Sequence, residues 1–189
     1  MTYQSKEQSK KMELRKDIEV IDLKQLSIDK IDLAPLSSCK RIHTLKLGSN
    51  NLSQIDITPL GECTNLRYLH LYRNRLKSID LNALASCENF TALSLNENRI
   101  HAIDLSPLGE CRKLRGFYIK ENRLEQIDLE PLQNCPDLRE LNLSSNHLHS
   151  VDLAPLKDCD HLERIDFRDN PIEKLDLSHI GDSVEVMLD

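Results

Sequence analysis

The chain has 189 residues, 39% hydrophobic and 30% charged, with a formal net charge of −6. This length suits one domain with a core of useful size, and the negative balance argues against general affinity for nucleic acid or an anionic membrane surface. Aromatic residues make up only 4% and tryptophan is absent, so the core has to be built from many small aliphatic contacts, which favours stacked layers over one bulky centre.

The chain opens with MTYQSKEQSKKMELRKD. That stretch lacks the apolar run of about 7–15 residues that a secretory signal requires. Nowhere does the sequence approach the roughly 18 apolar residues of a membrane helix. Six cysteines without a leader point to a reducing, cytoplasmic setting and free thiols. Residues 1–17 are expected to form a polar tail or a weak capping helix. The following DIEVIDLKQLSID (17–29) fits a strand, with Ile18, Ile21, Leu23 and Ile28 at core positions.

From residue 31 the chain repeats. IDLAPLSSC, IDITPLGEC, IDLNALASC, IDLSPLGEC, IDLEPLQNC and VDLAPLKDC begin at 31, 55, 79, 103, 127 and 151, a spacing of 24 residues without slip. Internal repetition of this kind is the signature of a solenoid. The repeating unit is I-D-L-x-P-L-x-x-C-x-x-L-x-x-L-x-L-x-x-N-x-L-x-x. In L-x-L both leucines point to one face and the residue between them to the other. Each repeat thus predicts one strand, and successive strands pair in parallel about 4.8 Å apart. Equivalent residues then stack into ladders. Asn50, Asn74, Asn98, Asn122, Asn146 and Asn170 are expected to satisfy backbone groups at the turn leaving each strand, because an amide both donates and accepts. Thr58-Pro59 and Ser106-Pro107 carry an N-cap and first-turn signature. They predict a short helical turn on the outer side, with the next Leu and the Cys facing in. A partial seventh repeat starts at Leu175, and SVEVMLD (183–189) reads as a shortened capping strand. The organisation is therefore a tail at 1–17, repeats over 18–174, and a terminal segment at 175–189.

The core L-x-x-L-x-L-x-x-N-x-L stands here as LRYLHLYRNRL (66–76) and LRELNLSSNHL (138–148). On these residues the chain resembles the leucine-rich repeat family. The resemblance implies an α/β solenoid, a curved right-handed superhelix with a parallel β-sheet on its concave face and short helical turns on its convex face. It also implies protein binding and no catalytic residue.

Several patterns invite a chemical reading. Cys63, His70 and Asn74 follow one another in the order of a Cys-His-Asn catalytic trio, but the repeat sends Cys63 and Asn74 into separate ladders. The cysteine row reads as buried thiols acting as small hydrophobes. Its even spacing does not resemble the cluster a metal needs. Asp32, Asp56, Asp80, Asp104, Asp128, Asp152 and Asp176 form an acidic row. Bonding to backbone amides at the convex turn explains it, with cation binding as the sharper rival. Arg75, Arg99 and Arg123 read as a solvated edge.

With the framework fixed, function falls to the variable concave positions. Three of the four tyrosines land there, as Tyr68, Tyr72 and Tyr118, and exposed Tyr and Arg dominate interface energetics. Ala92 and Gly116 lie beside Tyr68 and are expected to leave space for a partner's side chain. Over three central repeats the concave positions carry Arg67, Arg73, Arg115 and Lys120 against Glu97 and Glu121. The partner-binding set is thus Arg67, Tyr68, His70, Tyr72, Arg73, Ser94, Asn96, Arg115, Tyr118 and Lys120. The expected role is that of a monomeric, non-catalytic adaptor or regulator binding a protein with acidic groups, without cofactor, metal or membrane. Single-stranded nucleic acid stacking on the tyrosines and an enzyme built on His70 are the alternatives.

Overall fold

Each repeat forms a three-residue strand centred on the first leucine of its Leu-x-Leu, or the residue in its place, because the chain must turn away on both sides to reach the next layer. The computed structural model describes residues 1–5 and 8–189. Its strands are β1 (Thr2–Ser5), β2 (Gln8–Lys11), β3 (Val20–Asp22), β4 (Lys30–Asp32), β5 (Thr44–Lys46) and β6 (Tyr68–His70), then β7 (Ala92–Ser94), β8 (Gly116–Tyr118), β9 (Glu140–Asn142), β10 (Arg164–Asp166) and β11 (Glu185–Met187). Eight of them form one parallel sheet in the order β11-β10-β9-β8-β7-β6-β5-β3. The register never slips: Leu45, Leu69, Leu93, Phe117, Leu141 and Ile165 lie side by side. All six are at most 1% exposed.

The outer side carries 3-10 turns over Ala34–Ser38, Thr58–Glu62, Asn82–Ser86, Ser106–Glu110, Glu130–Asn134 and Ala154–Leu156. Their leucines (36, 60, 84, 108, 132 and 156) and the cysteines that follow are buried beneath them. The capping differs in one respect from the Thr/Ser-Pro reading. Thr58 and Ser106 are already the first residues of their turns and make no cap bond. Their own N–H groups need an acceptor, and the aspartate two residues earlier supplies it. Thr58 N–H donates to Asp56 Oδ1 at 2.9 Å, and the same bond recurs at Asp32, Asp80, Asp104, Asp128, Asp152 and Asp176. For Asp56 and Asp104 the Thr58 and Ser106 bonds, and for Asp176 the backbone bond from Ser178, hold the carboxyl below its usual range.

The asparagines hold neighbouring layers together. Asn98 Oδ1 accepts from Leu76 N–H (3.0 Å), and its Nδ2 donates to the carbonyls of Leu71 (3.0 Å) and Leu95 (2.9 Å). The pattern repeats at Asn74, Asn122, Asn146 and Asn170, so each such amide bridges its own repeat and the one before. The residue before each ladder asparagine is left-handed without being glycine: Ser49, Arg73, Glu97, Glu121, Ser145 and Asp169 have φ of 52–57°. That conformation costs roughly 1 kcal/mol or more per residue, and the amide bonds around it fix the turn. Among the described residues no buried side-chain nitrogen or oxygen lacks a partner.

The thiols are free and buried. Cys63 Sγ points at the Leu36 carbonyl 3.3 Å away, and Cys111 and Cys135 repeat the contact with Leu84 and Leu108. Burial pushes the Cys63 and Cys159 thiols up to about 11 and those of Cys87, Cys111 and Cys135 up to about 12.

The N-terminal segment corrects the expected tail or weak helix at 1–17. β1 and β2 pair antiparallel, and β1 pairs antiparallel with β4, placing Tyr3 opposite Ile31. The physical reason is alternation: Met1 and Tyr3 reach the core while Thr2 and Gln4 stay out. Pairing also gives β4 the backbone partners it would otherwise lack. Lys6 and Glu7, which also belong to the expected tail, lie outside the described residues. At the other end β11 pairs in parallel with β10.

A concave face with an aromatic row and a basic rim

Because the register holds, the residues between the core leucines form straight rows across the concave face. One row runs Thr44, Tyr68, Ala92, Gly116, Glu140, Arg164; the next runs Lys46, His70, Ser94, Tyr118, Asn142, Asp166. Ten residues were expected to form the partner site, and all sit on or beside strands β6–β8. They divide into groups with different physical roles.

Tyr68, His70 and Tyr72 make a continuous aromatic strip along one strand. The Tyr68 and His70 rings stack with centroids 6.4 Å apart and planes 9° from parallel, and His70 meets Tyr72 edge-on at 6.5 Å. Tyr68 is the outermost, 37% exposed. Burial lowers the His70 pKa below the ordinary histidine value, and the positive charges of Lys46 and Lys24 lower it further. The imidazole therefore faces a partner as a neutral ring at pH 7.

Tyr72 and Tyr118 do not stand free. A Cβ on Gly48 would lie 2.5 Å from the Tyr72 ring, and one on Gly116 would lie 2.6 Å from the Tyr118 ring. Both tyrosines lie flat over glycines of the sheet. The Tyr118 hydroxyl donates to Glu140 Oε2 at 2.8 Å. Burial, then this bond and the Glu140 charge, push the phenol well above its usual value. The space expected over Gly116 for a partner's side chain is thus filled by Tyr118. A side chain two residues along the same strand folds back onto the gap, which row-by-row reading of the sequence does not show.

The charge distribution is also narrower than a count of residues suggests. Arg73 donates through Nε to both Glu97 oxygens (2.9 and 2.8 Å), and Lys120 pairs with Glu121 at 3.2 Å. Asn96 Oδ1 accepts from the Lys120 backbone N–H, tying two strand ends together. Towards the C-terminus Arg139 pairs with Glu163, Arg164 with Glu185 and Arg168 with Asp166. Among the described residues Arg67 and Arg115 alone of the concave arginines have neither an ion pair nor a side-chain hydrogen bond. They line an open hollow of about 260 Å³ together with Tyr68, Asn89, Thr91 and Lys113. Asn89 and Lys113 were not foreseen as site residues. Their signal in the sequence was the 24-residue offset between them and their place two residues before Thr91 and Arg115.

Cys63 and Asn74 are committed to backbone contacts in the interior, so His70 stands without the thiol or the amide that a catalytic trio requires. Among the described residues no three or more His, Cys, Asp or Glu side chains gather as a metal would need. No helix of the described residues is long and apolar enough to cross a membrane.

A stack of one-strand layers with a solvent-facing parallel sheet defines a solenoid that displays side chains to a ligand. The family profile described as leucine rich repeat matches residues 40–100 and 88–148, and a second, described as leucine rich repeats in two copies, matches 136–179. The chain belongs to the leucine-rich repeat family, whose members mediate protein–protein interactions and are generally non-enzymatic. Among solved structures it is similar to internalin C2 of Listeria monocytogenes, with 26% identity and a TM-score of 0.72 over 91% of this chain and 71% of that one. It is also similar in fold to a leucine-rich repeat protein of Leptospira interrogans (20% identity, TM-score 0.75), covering 92% of this chain but 44% of that one. A plant peptide hormone receptor, RGFR1 in complex with RGF2, shares the fold at 19% identity and a TM-score of 0.64, over 74% of this chain and 22% of the receptor. No curated protein sequence matches the chain.

Proposed function

We propose that this chain is a non-catalytic adaptor or regulator that grips a protein partner on strands β6–β8 of its concave face. The observation that carries the reading is the meeting of the exposed Tyr68–His70 stack with the unpaired Arg67 and Arg115. Aromatic and arginine side chains concentrate binding energy where they can be desolvated. Elsewhere on the face the arginines of the described residues are neutralised by neighbouring carboxylates, so arginine charge is left free for a partner in this sector. That charge selects a surface carrying acidic groups. The structural relative RGFR1, solved in complex with RGF2, supports a polypeptide as ligand for this architecture. Six free thiols support a reducing compartment such as the cytoplasm. We take the working form to be a monomer, which light scattering checks.

The test is quantitative capture from an extract of the source cells. Tyr68→Ala and His70→Ala leave the glycine-covering tyrosines in place and should lose the captured protein. A convex double variant, Gln133→Ala/Lys157→Ala, should retain it. Equal capture by all three proteins would reject the concave site.

A further inference from the structure

The hollow at the strand-entry rim has a composition that the general role of the face does not require. Arg67 and Arg115 enter from β6 and β8, two strand spacings apart, or about 10 Å between backbones. Thr91 lies between them. Lys113 rises from the preceding turn, where its Nζ donates to Asn89 Oδ1 at 2.7 Å. No carboxylate lines the hollow. Three cations thus converge on one space with nothing negative among them, although every other concave arginine of the described residues has found a carboxylate. An anion in this space would be attracted by all three.

We infer that this hollow is a seat for a phosphate group carried on a side chain of the protein partner. The inference rests on the reading of the concave face as the binding surface. Three observations favour phosphate over a lone carboxylate. A phosphomonoester carries about −1.5 to −2 charge at pH 7, closer to the charge of three cations. It presents three terminal oxygens to the two guanidinium forks and the ammonium, where a carboxylate presents two. A space of about 260 Å³ exceeds what the anion alone would fill, and the exposed Tyr68 ring forms a wall for the side chain that bears it.

The test follows the arginine Nε–Hε signals of the intact protein by NMR, titrating inorganic phosphate, then phenyl phosphate, then acetate, at constant ionic strength. Arg67 and Arg115 should shift saturably with both phosphates, more tightly with phenyl phosphate, while the carboxylate-paired Arg139 and Arg164 stay in place. Arg115→Gln should weaken phosphate about fivefold, the scale of one exposed ion pair, and Arg139→Gln should not change it. Arg115 is exposed, so loss of fold is not expected, and an unchanged amide spectrum verifies that. Equal shifts at all arginines would reduce the effect to screening and overturn the seat. Acetate binding as tightly as phosphate would overturn the assignment in favour of a carboxylate. If phosphate fails to saturate while Tyr68→Ala still loses the captured partner, the seat is refuted and the concave reading stands. If phosphate saturates while Tyr68→Ala captures normally, the hollow binds phosphate but the partner does not supply it, and the proposal falls with the concave reading.

Discussion

Asn98 carries the clearest quantitative consequence of the layered architecture. It is 9% exposed and makes its three shortest bonds, at 3.0 Å or less, to backbone groups in two repeats. Asn98→Ala does not orphan them equally. The Leu71 carbonyl keeps its bond from Asn74, and the Leu95 carbonyl keeps its bond from Asn122. The Leu76 N–H loses its acceptor in the interior. An unsatisfied buried donor costs about 1–3 kcal/mol, and each of the two lost carbonyl bonds about 0.5–1 kcal/mol. The sum is about 3 kcal/mol, a large share of the roughly 5–15 kcal/mol of a whole domain. Asn170→Ala removes the same geometry from a half-buried position in the last full repeat. Its side chain borders solvent, so water can enter the space it vacates, and its cost should be near half. Equilibrium urea unfolding followed by far-UV circular dichroism measures both. A loss at Asn98 below about 1 kcal/mol, or one no larger than at Asn170, would refute the role assigned to the ladder.

Three further outcomes are expected. Cys63, Cys87, Cys111, Cys135 and Cys159, buried and with pKa values raised to about 11–12, should not react with a thiol-specific disulfide reagent at pH 8 in the folded protein, and all should react once it is denatured; fast native labelling would contradict their placement. Asp56, Asp104 and Asp176 have folded pKa values below their unfolded ones, so their contribution is complete above about pH 4 and is lost as pH falls through the folded values. The melting temperature should accordingly drop on acidification, and Asp56→Asn/Asp104→Asn, which keeps the acceptor without the charge, should flatten that acid limb; an unchanged limb would speak against the carboxylate caps. Gly116→Ala should cost about 1–2 kcal/mol by driving the Tyr118 ring off the sheet, more than Tyr118→Phe, which removes only the bond to Glu140; calorimetry on both variants decides the order.

The framework was legible because one period of 24 residues sets strand, turn and ladder at once. Leu69, Cys63 and Asn74 have their positions dictated by the copies on either side, and no slip in spacing leaves room for another register. The site was less so, for identifiable reasons. Equivalent positions in consecutive repeats are neighbours, so Arg73 and Glu97 were bound to meet, which leaves the positive balance of the central repeats on Arg67 and Arg115. Tyr118 occupies the gap above Gly116 through its rotamer, which residue identity along a row does not specify. Ser106 looked like a cap because it precedes proline, yet Asp104 does the capping, since Ser106 is already inside the turn. The N-terminal hairpin was missed because TYQS and QSKK are too polar to read as strands, and their pairing depends on a distant partner at Lys30–Asp32.

The most direct test of the concave reading replaces single residues with a photoreactive phenylalanine analogue. One label goes at Tyr68 on the concave sheet and one at Gln133 on the convex side, each in otherwise unchanged protein in the source cells. Tyr68 is the exposed end of the aromatic strip and borders the basic hollow, whereas Gln133 is exposed on the outer turn. Irradiation should join the Tyr68-labelled protein to one discrete protein and leave the Gln133-labelled protein free. A discrete adduct from Gln133 with none from Tyr68 would contradict it and move the binding surface to the convex face.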